Sequence, residues 1–63
     1  MDKTIDEVFG ESLYRLDRQH YEARAVASNS DKAVLDAIHA GRIADMQACT
    51  TAEELVALVA TYW

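Results

Sequence analysis

The sequence predicts an all-α fold: a helical hairpin followed by a shorter C-terminal helix. Three observations carry this. The 63 residues include no proline and only two glycines, so almost nothing breaks a helix. Alanine, leucine, glutamate, arginine and glutamine fill much of the chain, and all are good helix formers. Apolar residues recur at three- and four-residue steps. No stretch alternates for long and no Asn-Gly or Asp-Gly turn occurs, so no strand is expected.

The first helix is expected over about 5–27. Thr4-Ile5-Asp6-Glu7 fits a capping box, in which hydroxyl and carboxylate satisfy free backbone N–H groups. Asp2, Asp6, Glu7 and Glu11 crowd the start, where the helix dipole favours negative charge. Arg15, Arg18 and Arg24 follow, where positive charge is better placed. Ile5, Phe9, Leu13, Leu16, His20, Ala23 and Ala27 share one face at helical spacing. Gly10 lies off that face and costs about 1 kcal/mol relative to alanine. Ser28-Asn29-Ser30-Asp31 supplies a turn and a new N-cap.

The second helix is expected over about 31–48, with Val34, Leu35, Ile38, Met46 and Cys49 on its apolar face. Gly41 either caps the helix at Ala40 or only kinks it. No proline or polar loop follows, and the next seven residues suit a helix, which favours continuation. Continuation puts Arg42 within the apolar stripe, where it must snorkel or meet an acid. Thr50-Thr51-Ala52-Glu53-Glu54-Leu55 then starts a third helix over about 52–62, since each threonine has a glutamate three residues on. Leu55, Leu58, Val59 and Tyr62 form its apolar face, widened by Val56.

These are parts of a single small domain, 1–63. Short loops make neighbouring helices antiparallel. A first helix of ~24 residues spans ~36 Å, and the third spans less than half of that. The short helix cannot cover the long one, so some apolar surface on the first helix stays open in a monomer. Self-association, most simply as a dimer, is the expected remedy.

Composition narrows the function classes. The single cysteine, Cys49, cannot form an intrachain disulfide, which suggests a cytoplasmic chain. No apolar run approaches a membrane span, and no secretory leader is read. Eleven acids against six bases argue against general binding to a phosphate backbone. Two histidines and one cysteine lack metal-ligand spacing, and no cofactor motif is present. Asp36 and His39 are three apart on a helix and could pair, but no nucleophile accompanies them. Gly10-Glu11-Ser12 is half of a nucleophile elbow without its second glycine or its strand. An enzyme is therefore not expected.

The candidate interaction residues are Tyr14, Arg18, His20, Tyr21, Tyr62 and Trp63. Tyr14 and Tyr21 are seven apart and share a face opposite the Phe9-Leu13-Leu16 stripe, and tyrosines with an arginine nearby suit protein interfaces. Third-helix packing or a second subunit would also cover them. Arg15, Arg18, Glu22 and Glu11 form a neighbouring charged stripe, with Glu11 and Arg15 a favourable i, i+4 pair. His20 stands where the stripe expects an apolar residue, as a half-buried histidine, a dimer contact or a pH-sensitive element. Tyr62 and Trp63 are expected to dock on the hairpin or in a partner.

A nucleic-acid-related regulator is the alternative. As a helix-turn-helix binder, its reading helix would carry Glu53 and Glu54 and no basic residue, which disfavours a phosphate-lined groove. As an acidic DNA mimic, it would use the four acids of its first eleven residues.

Taken as a whole, from MDKTIDEVFGESLYRLDRQHYEARA to TTAEELVALVATYW, the chain resembles the small early proteins of lambdoid bacteriophages encoded in the exo–xis region. No chemical motif carries the resemblance; it covers the full wording of the chain. It implies a non-enzymatic accessory protein in the host cytoplasm, acting early in infection on the host cell cycle or the lytic–lysogenic balance. It supplies no functional residues.

Overall fold

A computed structural model of the chain describes residues 3–63; Asp2 lies outside them. Three α-helices follow one another, α1 (Ile5–Ala25), α2 (Asn29–Gln47) and α3 (Ala52–Val59), and a 3₁₀ turn at Ala60–Tyr62 extends α3. Among the described residues there is no strand. α1 and α2 form the hairpin, and α3 folds back onto it as the shorter third helix.

Each helix begins on a side-chain cap. The Thr4 hydroxyl accepts from the Glu7 N–H, Ser28 from Asp31 and Thr51 from Glu54. The Glu54 carboxylate in turn accepts from the Thr50 backbone N–H and hydroxyl. Both threonines thus serve one helix start. α1 stops at Ala25, two residues before the expected Ala27, because Ser28 caps α2 and needs extended backbone. α2 therefore starts at Asn29, two residues earlier than expected.

Gly41 lies inside α2, which runs unbroken to Gln47. Arg42 stays at the seam by laying its guanidinium over the Tyr62 ring, 4.8 Å from the centroid.

The core holds Val8, Leu16, Met46, Leu55 and Val59, with Ile5, Phe9, Cys49, Ala52, Leu58 and Tyr62 packed around it. The buried line on α1 runs through Val8, Ser12 and Leu16, whereas the expected stripe members Ile5, Phe9 and Leu13 are only half-buried. α1 packs against both other helices, so its buried face is broader than, and rotated from, one seeking a single neighbour.

A larger departure is on α2. Val34 and Ile38, members of the expected apolar face, are 58% and 47% exposed. The helix lengths explain this. α3 has 8 residues and α1 has 21, or ~12 Å against ~31 Å. α3 covers one end of the hairpin and leaves the other, near the α1–α2 turn, bare. The molecule is elongated, 40 × 17 × 16 Å.

A Cβ added at Gly10 or Gly41 meets nothing within 4 Å, and both glycines are exposed in helix interiors. Gly41→Ala and Gly10→Ala should each raise stability by about 0.5–1 kcal/mol. Chemical denaturation checks this. Loss of stability at Gly41 would mean that α2 needs a break there.

Candidate functional site

A cluster of polar side chains lies between α1 and α2. The His20 and His39 rings stack face to face, with centroids 4.2 Å apart and planes within 3°. His20 Nε2 is 2.7 Å from Asp36 Oδ1 on the opposite helix. His39 Nε2 is 2.9 Å from Asp17 Oδ1, back on the first. With the proton on Nε2, each imidazole donates to the other helix's carboxylate. Arg24 adds Nε to Asp36 Oδ1 at 2.7 Å and Nη2 to Oδ2 at 3.2 Å, a two-pronged contact with a fixed orientation.

The arrangement follows from a repeated spacing. Asp17-Arg18-Gln19-His20 and Asp36-Ala37-Ile38-His39 both place an aspartate three residues before a histidine, on the same helix face. In an antiparallel pair, partners have residue numbers of constant sum. Asp17–His39 and His20–Asp36 share one such sum, and its midpoint is Ser28, the cap between the helices. The expected Asp36–His39 pair within α2 therefore does not form: each member finds a better-aimed partner across the seam. His20 is explained in the same way, as an interhelical contact. The repeated Asp-x-x-His was the signal that could have found the cluster.

Asp36 is held below its ordinary pKa of 3.8, first by the hydrogen bonds from Arg24 and then by that from His20. The cluster borders a depression of ≈ 150 Å³ lined by Leu16, Ala23, Leu35, Ile38 and Arg42 among others. Among the described residues, no group of three or more His, Cys, Asp or Glu side chains is placed to hold a metal ion. The chemistry available is paired hydrogen bonding between carboxylates and imidazoles, which clasps the two long helices where α3 does not reach.

The other candidate residues separate into two groups. Tyr14 and Tyr21 are 72% and 77% exposed, and neither α3 nor any other element covers them. Arg18 lies between them on the same ridge, exposed and paired with Glu22 at 3.3 Å. Tyr62 and Trp63 instead dock on the hairpin. Their rings meet edge to face at 6.2 Å, and the Arg15 guanidinium lies 4.3 Å from the centre of a Trp63 ring. Arg15 is thereby turned away from Glu11, which takes Lys3 at 2.6 Å instead of the expected i, i+4 partner. The Tyr62 hydroxyl is buried without a hydrogen-bond partner. That burial, and after it the charge of Asp45, raises its pKa.

The stability that Asp36 contributes is fully present above its unfolded pKa near 3.8. It is lost as pH falls through the lower folded value. Asp36→Asn should therefore be less stable than the parent at about pH 5, and the gap should close as pH falls toward about 2. Urea unfolding across that range checks it; a gap that stays constant would mean that the carboxylate's charge plays no part.

Among the described residues, no helix is long and apolar enough to cross a membrane. Comparison with protein-family models, with curated proteins and with solved structures gives no match.

Proposed function

We propose that the chain is a non-enzymatic interaction protein. On this reading it is an early accessory protein of the lambdoid phage type, working in the bacterial cytoplasm. It acts by contact with a host or phage protein, modulates the host cell cycle or the lytic–lysogenic decision, and self-associates. The observation that carries the reading is the Tyr14–Arg18–Tyr21 ridge. Two tyrosines two turns apart stand more than two-thirds exposed with a guanidinium between them. Folding gains little from leaving such rings in water, whereas tyrosine and arginine dominate protein contact sites. The opposite flank of α1 already serves α2 and α3, so the ridge is free for an outside partner.

Replacing Tyr14 and Tyr21 together by serine tests this. Because both rings are exposed, helicity and unfolding midpoint should change little, while capture of a specific protein from host lysate should be lost. Unchanged folding with unchanged capture would overturn the assignment of this ridge. Binding of the parent to labelled duplex, or its displacement of duplex from a captured protein, would favour the nucleic-acid-related alternative.

A further inference from the structure

We propose that a small depression at the Tyr21 end of the exposed ridge binds a carboxylate, supplied by an aspartate or glutamate of the protein that rests on the ridge. This rests on the interaction reading above and names what that partner must carry.

The depression measures ≈ 180 Å³ and is lined by Tyr21, Arg24, Ala25 and Lys32. Tyr21, Arg24 and Ala25 stand at i, i+3 and i+4 near the end of α1, so they share a face. Lys32 is the fourth residue of α2, which the short connection brings alongside. Tyr21 belongs to the ridge and to the depression alike, so the two form one surface. Small-molecule sites start at about 300 Å³. The smaller volume here suits the end of one side chain rather than a free metabolite.

Charge selects the occupant. The lining carries two positive charges and no negative one. Lys32 is half-buried, and among the described residues no acid lies within ion-pair distance of its ammonium. The acids nearest in sequence are engaged or placed elsewhere. Glu22 takes Arg18, Asp36 takes Arg24 and His20, and Asp31 lines a separate depression with Val34 and Leu35. Lys32 also stands in the first turn of its helix, where the dipole favours negative charge. An unpaired, half-desolvated cation at that end costs folding energy that an arriving carboxylate offsets.

Arg24 is the second donor. It uses Nε and Nη2 on Asp36, which leaves Nη1 without a partner among the described residues. The bond to Asp36 fixes the guanidinium before a ligand arrives, so little freedom is lost on binding. Two cations at one spot take a single carboxylate through charge-assisted hydrogen bonds. A polyanion such as duplex would meet the net charge of −5 on the rest of the chain.

Phenylacetate, a carboxylate on an aromatic ring, is the probe, with phenethylamine as its cationic counterpart. Amide NMR on the labelled full chain reads both against the parent, Lys32→Met and Lys32→Arg. Methionine keeps most of the lysine stem and removes the charge, so circular dichroism should report an unchanged fold. The expected result is saturable binding of phenylacetate, with a dissociation constant in the millimolar range, that shifts the Tyr21, Ala25 and Lys32 signals. Binding should weaken as salt rises, weaken about threefold or more in Lys32→Met and return in Lys32→Arg. Phenethylamine should leave those signals in place. Absence of saturation, equal binding by Lys32→Met or equal binding of the amine would overturn the proposal. So would a Lys32→Met chain that fails to fold, because it would make the ammonium a structural group. Partner capture separates this site from the ridge. Capture lost in Tyr14→Ser/Tyr21→Ser but undiminished in Lys32→Met would overturn the carboxylate site alone. Capture undiminished in the tyrosine variant would overturn the ridge, and the partner's carboxylate with it.

Discussion

All three helices meet at one place. Leu16 from α1, Met46 from α2 and Leu55 from α3 are the largest fully buried side chains, each about 1% exposed or less. Burying side chains of this size is worth about 1.5–3 kcal/mol each, and a chain this short has about 3–5 kcal/mol of net stability to draw on. The orientation of α3, the docking of the terminal aromatics and the angle of the hairpin all follow from that contact. Leu16 stands at the middle of α1 and Met46 at the end of α2, so the half of the hairpin nearer the α1–α2 turn is held by something else.

Beyond it, the seam changes character. Leu16 is followed along α1 by His20 and Arg24, and Met46 is preceded along α2 by Arg42, His39 and Asp36. The helices stay together through directional polar contacts: a parallel histidine stack, two crossed Asp–His bonds and a two-pronged arginine. Partly exposed contacts of this kind contribute less than burial does, but they fix register. A slip of one turn would break both Asp–His bonds at once. The hairpin thus has an apolar end that supplies stability and a polar end that supplies alignment, and its uncovered apolar groove lies beside the latter.

The helices themselves were legible in the sequence because their signals are local. The Thr4 and Thr51 caps, the unbroken passage through Gly41 and the short third helix all follow from propensity, capping and spacing. The interhelical details were not, for a physical reason. Val34 and Ile38 satisfy helical periodicity, and periodicity says which residues share a face but not whether a neighbour is long enough to cover it. Arg15 and Glu11 satisfy the i, i+4 rule, but the docking of Trp63 offers Arg15 an aromatic face and Lys3 reaches Glu11. Asp36 and His39 sit at a distance that suggests a pair, and only the antiparallel register reveals that each belongs to the other helix. Of the candidate residues, Tyr14, Arg18 and Tyr21 stand together in the open, His20 and Tyr62 are half-buried between elements, and Trp63 lies against Arg15 while still 39% exposed.

The hairpin's two ends are held differently: α3 packs on one, and polar contacts between α1 and α2 align the other. Amide hydrogen exchange at low and high protein concentration measures this directly. The backbone around Leu16, Met46 and Leu55 should be the best protected, to the same degree at both concentrations. The amides of residues 18–36 should exchange faster at both. Uniform protection along α1 and α2 would contradict the account.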